Sequence, residues 1–504
     1  MTRPDAPLDH VTPYDRLAWS DAVVEHLLAT GEQQRELIAY FGPGEYQDLA
    51  QLARQAQSVP VQADAPRVFI VPGIMGSQLG RLRREPPNDI LWLDPVDISL
   101  GNLALLRLPA PGSGNGAAAQ PASRRGNGPD NGQHSPEHAE IVSLGVVLFT
   151  YLRLKLHLRI AGFAPVFHDY DWRLGVDELG HGLAERLRAE SGRVMIVAHS
   201  MGGLVSRAAL ACDGTKKVER VVLLGTPNSG SFAPVQALRG VYAVVRKIAR
   251  LASVQQSAES LAADVFSTFP SLYHLLPVPG LDADQDLFDA AAWPDAGPRP
   301  DVKLLASGRK LGGMLAGPDE RFVNIVGAGQ ETVTRATRRK DEFVYTITRH
   351  GDGTVPIAYA ELPGARTYYT TVAHSELARD AEVAVAIAEL LRNGDTELLE
   401  TKWSRRGNAQ ALISDRELRR THTDKVDWVH MEPEARQAFL RNLNEPPRLK
   451  LRVPVKVAAA KKKTPAKTLR KRPKNAARNP PRKTARKKQA RRPARSRTAS
   501  ARKK

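Results

Sequence analysis

A single serine stands among small residues at the point where an apolar run meets a helical pattern. The stretch reads RVMIVAHSMGGLVSRAAL over residues 193–210, with Ser200 near its centre. A serine at such a strand-to-helix turn is exposed as a nucleophile for acyl transfer. The turn requires small residues two positions before and after the serine, because a larger side chain would strike the neighbouring strand or helix. Ala198 and Gly202 meet this requirement.

A serine hydroxyl needs a base and a carboxylate to act as a nucleophile. In chains with this turn the acid and then the histidine follow the serine. Asp352 lies in HGDGTVP after the strand-like FVYTIT, and His374 follows the strand-like ARTYYTTV. We predict that Asp352 orients His374, that His374 takes the proton of Ser200, and that all three lie at one edge of the same sheet. His350 is an alternative base, but it precedes the aspartate and fits the order poorly.

Two backbone amides must stabilise the negative oxygen that forms during acyl transfer. The first predicted donor is Met201, at the start of the helix after the serine. The second lies in VPGIMGSQL, the loop after an early strand, where Gly73 lets the backbone approach closely. We predict the amide of Ile74 there, with Met75 as the alternative. This chemistry requires no metal and no organic cofactor.

Strand-like and helical patterns alternate along residues 65–392, which is typical of a parallel sheet with helices on both faces. The predicted strands of the sheet are RVFIVPG, APVFHDY, RVMIVAH, VERVVLLG, RFVNIVG and ARTYYTTV. Residues 109–138 are rich in Gly, Ala, Pro, Ser and Asn and predict a flexible insertion. Residues 232–318 are helical and apolar between loops rich in Pro, Gly and Asp. They predict a helical cap over one end of the sheet.

Two further segments flank this core. Residues 1–60 predict an N-terminal helical extension, with one or two amphipathic helices over residues 15–57. Residues 393–456 predict a small, mostly helical and polar appendix.

The net charge of +19 belongs to the C-terminal tail, residues 457–504. Its last 44 residues contain 21 Lys/Arg and no Asp/Glu, which leaves 52 of the 73 basic residues against all 54 acidic ones elsewhere. With almost nothing to bury, the tail is predicted to be disordered. Its expected partner is a polyanion, either an anionic membrane surface, nucleic acid or polyphosphate. The alternative is a solvated tail without a specific partner.

Cys212 is the one cysteine, so an internal disulfide and a site with several cysteine ligands are excluded. The N-terminus has no apolar core of a signal peptide, and no run approaches 18 apolar residues. We therefore expect a cytoplasmic protein, either free or peripheral to a membrane or to the nucleoid. The oligomeric state is left open.

Six motifs together resemble the lecithin:cholesterol acyltransferase family of α/β-hydrolases. In chain order they are FIVPGIMGSQL, YDWRL, IVAHSMGGLVSR, LLGTPNSGS, FPSLYHLLP and HGDGTVP. The resemblance covers roughly residues 65–392 and implies an α/β-hydrolase core with a cap and lid. It also implies a triad of Ser200, Asp352 and His374, with Ile74 as an oxyanion donor. Secretory members have disulfides in their lids, which this chain cannot form, so the substrate is not implied.

The sequence predicts a serine acyl hydrolase or O-acyltransferase that acts on lipid-like esters through an acyl-serine. The alternative is a non-catalytic hydrolase-fold binding protein that the basic tail tethers to nucleic acid, a membrane or a granule. A depolymerase of storage polyester would use the same triad. Apolar residues of the cap predict either a lipid-binding surface or simple packing on the sheet: Phe232, Val241, Tyr242, Leu251, Phe266, Phe269, Leu272 and Leu275.

Overall fold

The structure of the chain is a computed structural model. It describes residues 19–443 except 84–87, 110–139, 252–255, 282–284, 405–408, 422–423, 425 and 429. The predicted flexible insertion (beyond residue 109), the basic tail 457–504 and the first 18 residues therefore lie outside the described residues.

The strands alternate with helices in the order that the sequence predicts for the core. In chain order the strands are β1 (Arg67–Val71), β2 (Ser77–Arg81), β3 (Asp89–Trp92), β4 (Ile141–Val146), β5 (Ala164–Phe167), β6 (Val194–His199), β7 (Val218–Leu224), β8 (Phe322–Gly327), β9 (Thr332–Arg339), β10 (Glu342–Thr348), β11 (Arg366–Thr370) and β12 (Ala411–Ser414).

The helices fall before, between and after these strands. They are α1 (Asp21–Thr30), α2 (Gln34–Phe41), α3 (Pro43–Ser58), α4 (Pro95–Ser99), α5 (Leu148–Ile160), α6 (Val176–Ala189), α7 (Met201–Leu210), α8 (Ala233–Leu238), α9 (Ala243–Leu251), α10 (Ala258–Asp264), α11 (Pro270–His274), α12 (Val302–Lys310), α13 (Ile357–Ala360), α14 (Ala381–Asn393), α15 (Asp415–Leu418) and α16 (Pro433–Arg441). None of the helices in the described part of the chain combines the length and the hydrophobicity of a membrane span.

The core is a parallel sheet with helices on both faces. Among the described strands, six pair in the order β11-β8-β7-β6-β1-β5, all parallel. Alternate residues of β1 point to opposite faces. Phe69 and Val71 pack with α6 and α7, whereas Val68 and Ile70 pack with α3, α5 and α14. The predicted fold class is confirmed, and the carboxyl ends of these strands form one edge where loops can meet.

The N-terminal extension forms three helices in its described part, so the prediction of one or two was wrong. Gly31 has a φ of 82° and Gly42 a φ of 81°, and each ends a helix. Such left-handed conformations suit glycine and stop a helix. Pro43 then begins α3, because proline at the first helical position loses no hydrogen bond. The hydrophobic periodicity of the segment did not reveal these breaks.

Two small antiparallel sheets extend the core. One has the order β3-β2-β4 and the other the order β12-β10-β9. Strand β12 lies in residues 393–456, so this segment is not only the helical appendix that we expected. Its pairing with β10 from Val344–Ser414 to Ile347–Ala411 buries Ile413, which favours a strand there. Residues 232–318, between β7 and β8, contain helices α8–α12.

Candidate active site

Ser200 lies in the sharp turn between β6 and α7. Its φ is 54° and its ψ is −125°, a backbone conformation that residues other than glycine rarely adopt. The Ser200 amide donates to Leu224 O on β7 (2.8 Å), and the Gly203 amide donates to Ser200 O (3.0 Å). These two bonds hold the strained turn and place the serine at the carboxyl edge of the sheet.

The turn leaves no room for a side chain at Gly202. A Cβ built there would lie 2.5 Å from Val71 O and 2.5 Å from Pro72 O, both backbone atoms at the end of β1. Ala198, two residues before Ser200, is fully buried. The glycine at 202 is therefore required by how closely the helix start approaches the neighbouring strand.

Replacing Gly202 by alanine should destabilise the protein by about 1–3 kcal/mol, because backbone atoms of a central strand cannot move aside. The measurement is the free energy of unfolding in urea. The matched control is Gly182→Ala in the middle of α6, where an added Cβ would have no atom within 4 Å. That control should gain up to about 1 kcal/mol from higher helix propensity. Equal stabilities of the two variants would contradict the steric explanation.

The structure brings together the three residues that the sequence singled out. The distance from His374 Nε2 to Ser200 Oγ is 2.9 Å, and that from His374 Nδ1 to Asp352 Oδ2 is 2.7 Å. Asp352 Oδ1 accepts bonds from the amides of Thr354 (2.9 Å) and Val355 (2.7 Å). An ionised Asp352 accepts the Nδ1 proton of His374, which leaves the Nε2 lone pair to face the serine hydroxyl. The arrangement can move a proton from Ser200 to His374.

Asp352 reaches this position by a route that differs from the predicted one. The strand before it, β10, belongs to the small sheet β12-β10-β9 and not to the parallel sheet. A Cβ built on Gly327, at the end of β8, would lie 2.5 Å from Asp352 Cβ, so the glycine lets the loop lie on the edge of the parallel sheet. The His374 amide also donates to Asp352 O (2.8 Å). The β9–β10 hairpin is thus inserted between β8 and the aspartate.

His350, the alternative base, does not take part in this chain of hydrogen bonds. Its Nε2 is buried and has no hydrogen-bond partner among the described residues, and His350 does not line the pocket around Ser200. The structure therefore brings His374 to the serine and leaves His350 outside the pocket.

The predicted oxyanion donors lie on either side of Ser200. Met201 is the first residue of α7. Gly73–Gly76 form a tight turn closed by a bond from the Gly76 amide to Gly73 O (3.0 Å), and Ile74 and Met75 line the pocket with Ser200. A Cβ built on Gly73 would lie 2.9 Å from Ser200 Cβ, so only glycine lets this turn come so close. Among the described residues, neither the Ile74 nor the Met201 amide has a hydrogen-bond acceptor.

Comparison with known proteins agrees with this architecture. Residues 181–274 match the family model of the PGAP1-like alpha/beta domain. The matched segment contains Ser200 and ends before Asp352 and His374. The chain has the α/β-hydrolase fold. No curated protein sequence matches it.

Two solved structures are similar to this chain at low sequence identity. The mature form of Bacillus licheniformis lipase BlEst2 is 14% identical, with a TM-score of 0.31, and the match covers 66% of this chain and 95% of the lipase. The Tle4–Tli4 complex contains a chain that is 15% identical, with a TM-score of 0.39, and the match covers 66% of this chain and 100% of that one.

In this hydrolase fold, Tyr151 and His199 join the loops that carry the site, and sequence reasoning missed both. His199 Nε2 lies 3.0 Å from the His374 carbonyl oxygen, which can only accept, so Nε2 carries the proton. Nδ1 then accepts from the Tyr151 hydroxyl (3.0 Å), whose oxygen accepts from the Gly73 amide (2.9 Å). One buried network therefore connects the Gly73 turn, the residue before Ser200 and the backbone of His374.

His199 must stay neutral for this network to form. Burial lowers the pKa of His199 to about 3, and the nearby His374 contributes to this shift. Burial and Arg186 likewise lower the pKa of His168 to about 3. Both groups bind a proton more readily in the unfolded chain, so protonation favours unfolding between pH 6.5 and pH 3.

The free energy of unfolding should therefore fall as pH drops below 6.5, by about 1.4 kcal/mol per pH unit for each of these two histidines. Above pH 6.5 both states hold these histidines neutral, and their contribution is constant. Urea denaturation at pH 7, 6 and 5 measures the slope. His199→Asn should lower the slope by about 1.4 kcal/mol per pH unit without removing it, because burial also lowers the pKa of His168, His157 and His274. The control His181→Asn, at an exposed position on α6, should leave the slope unchanged. An unchanged slope in His199→Asn would show that this histidine is not held neutral.

An apolar pocket opens over Ser200, between the edge of the sheet and helices α8, α9 and α11. Five of the eight apolar residues predicted for a cap surface line the pocket: Tyr242, Phe266, Phe269, Leu272 and Leu275. The other three are buried elsewhere in the core: Phe232, Val241 and Leu251. Trp92, Leu93 and Phe149 add further apolar surface. Desolvation raises the pKa of Tyr242 to about 12, so its hydroxyl stays protonated in the pocket wall beside Thr354.

Proposed function

We propose that this protein is a serine acyl hydrolase or O-acyltransferase that acts on lipid-like esters through an acyl-serine intermediate. The observation that carries the proposal is the hydrogen-bonded chain from Asp352 through His374 to Ser200, at the wall of an apolar pocket. A binding protein would need the pocket but not a buried carboxylate, a histidine and a serine in this order.

In the first half of the proposed reaction, Ser200 Oγ attacks the ester carbonyl carbon as His374 Nε2 takes the hydroxyl proton. Asp352 stays ionised and stabilises the imidazolium through Nδ1–H. The amides of Ile74 and Met201 are the proposed donors to the oxyanion. The C–O bond to the leaving alcohol then breaks, and His374 returns the proton to that alcohol. The acyl group remains on Ser200.

In the second half, an acceptor hydroxyl repeats these steps in reverse. His374 removes the acceptor proton, the acceptor oxygen attacks the acyl carbon, and the proton returns to Ser200 Oγ. Water as the acceptor gives a carboxylic acid, and an alcohol gives a new ester. The chemistry at Ser200 is the same for both, so the acceptor decides between a hydrolase and an acyltransferase.

The pocket supports a lipid-like substrate. Its lining is mostly aliphatic and aromatic, and its polar residues include Ser200, His374, Tyr242, Thr354 and the charged Glu376 and Arg379. This division of apolar walls and few polar groups suits an acyl chain with an ester at one end.

The test is labelling of the full chain with a fluorophosphonate probe, followed by an ester screen. Mass spectrometry should find the probe on the peptide that contains Ser200. The labelled enzyme should then be compared with the free enzyme on phospholipids and neutral esters, with and without a long-chain alcohol. Free fatty acid as the main product identifies a hydrolase, and a new ester identifies an acyltransferase. A folded protein that neither reacts with the probe nor cleaves any ester, with or without detergent, would overturn the proposal.

The basic tail is a separate part of the proposal. It lies outside the described residues, and its composition alone supports a polyanionic partner, either an anionic membrane surface or nucleic acid. A cytoplasmic enzyme held at such a surface would meet lipid esters directly, which favours the membrane surface for this substrate class.

A further inference from the structure

The C-terminal part of the described chain forms one wall of the pocket that contains Ser200 and His374. Leu440 lies in the last turn of α16, and Leu443 follows shortly after the helix. Both side chains are buried and line the pocket. This wall comes from neither the parallel sheet nor the cap, so it is an additional boundary of the space that an acyl chain would occupy.

Cap helix α9 holds this C-terminal segment with three cationic side chains. Arg246 donates to Thr421 O (Nε, 2.8 Å) and to Arg419 O, Lys247 donates to Asn442 O, and Arg250 donates to Asp424 O (2.5 Å). Arg246 and Lys247 are 7% and 8% exposed. A buried cation is costly unless it is hydrogen-bonded, so moving the segment away would leave two cations without these carbonyl partners.

The same helix contributes directly to the pocket. Val244 and Val245 of α9 line it, immediately before the residues that hold the C-terminal segment. The cap wall and the C-terminal wall are therefore joined through one helix. Lys247 of this helix donates to the carbonyl of Asn442, the residue immediately before Leu443.

Helix α16 is also fixed from its other side. The Trp428 and Phe439 rings meet edge to face with centroids 6.1 Å apart, and Arg436 lies over the Trp428 ring and donates to Trp428 O (3.0 Å). Helix α16 packs against α2 of the N-terminal extension. These contacts hold Leu440 and Leu443 in place. A pocket wall must be held in this way if it is to distinguish substrates by their shape.

We propose that Leu440 and Leu443 determine which acyl chains the pocket accepts, and that Lys247 is a positioning residue for this wall. The inference rests on the proposed function. Shortening either leucine opens apolar space, and each further methylene that an acyl chain buries there raises kcat/KM about fourfold. A bulkier side chain at the same place excludes the end of a long chain.

The experiment measures kcat/KM of the full chain on p-nitrophenyl butyrate and p-nitrophenyl dodecanoate. The readout is the dodecanoate-to-butyrate ratio, which cancels differences in the fraction of active enzyme. Leu443→Ala should raise the ratio about tenfold, and Leu443→Trp should lower it about tenfold. Lys247→Met keeps every lining side chain but removes the bond to Asn442, and should shift the ratio by about threefold. The matched control is Leu412→Ala, an exposed leucine of β12 outside the pocket.

Each outcome decides the inference. Opposite shifts in the two Leu443 variants, with the Leu412→Ala ratio equal to that of wild type, support it. An active wild type with the same ratio in Leu443→Ala, Leu443→Trp and Lys247→Met overturns it and leaves the proposed function standing. If Leu443→Ala does not fold, Lys247→Met decides. A wild type that cleaves neither ester and resists the fluorophosphonate probe overturns the proposed function and this inference with it.

Discussion

Replacing Ser200 by alanine should abolish fluorophosphonate labelling and lower kcat/KM for a short-chain ester by at least about 10⁴-fold. The substitution removes the Oγ atom that lies 2.9 Å from His374 Nε2. It leaves the buried turn otherwise filled, so the variant should fold. Labelling at the peptide that contains residue 200 and ester turnover are measured at matched circular dichroism spectra.

The control for this result is Ser206→Ala, on the same helix α7. The Ser206 hydroxyl donates to Gly202 O (2.8 Å) and does not line the pocket, so the variant should keep its labelling. His374→Ala should lose activity to a similar extent, and His350→Ala should not. Full activity in His374→Ala would show that another group is the base. Labelling that persists in Ser200→Ala would show that the nucleophile is a different residue.

Replacing Asp352 by asparagine should lower kcat about 10⁴-fold with little change in KM. The reason is the direction of two hydrogen bonds. Asp352 Oδ1 accepts from the amides of Thr354 and Val355, so the carbonyl oxygen of an asparagine must take that place. Its NH₂ group then points at His374 Nδ1, which must accept. The histidine proton moves to Nε2, and no lone pair remains to take the serine proton.

Steady-state kinetics and thermal unfolding of Asp352→Asn test this explanation. The fluorophosphonate reaction should slow along with kcat, while the melting temperature should change far less than in Gly202→Ala. The control is Asp341→Asn, at the exposed turn between β9 and β10. An Asp352→Asn enzyme with kcat near that of wild type would show that the orientation of His374 does not depend on this carboxylate.

Local sequence was enough to predict the turn around Ser200. Gly202 is small because the neighbouring strand is close, and the apolar run before the serine is typical of a buried strand. The steric restriction at Gly202 comes from β1, which is distant in the chain, but the pattern that it leaves around Ser200 is short and can be recognised locally. The same holds for the six parallel strands, whose apolar runs the sequence predicted correctly.

The approach of Asp352 and the N-terminal helices could be predicted only in part. The motif HGDGTVP pointed to the aspartate, but β10 before it has the same apolar alternation as any half-buried strand. The alternation of apolar and polar residues indicates that one face of a strand is buried, but it does not show which sheet the strand joins. Gly31 and Gly42, where two helices end, are visible in the sequence as candidate helix ends. The apolar periodicity continues across both glycines, however, and suggested fewer helices.

By itself, the sequence determined the α/β-hydrolase fold, the serine turn and the candidates Asp352 and His374, because these depend on residue type and on short spacing. Only the tertiary structure decided that Tyr151 joins His199, 48 positions away, and that Leu440 and Leu443 close the pocket of Ser200. Those residues sit in patterns that fit any buried helix or polar appendix. Their roles come from packing between distant segments, and such packing leaves no local signature in the chain.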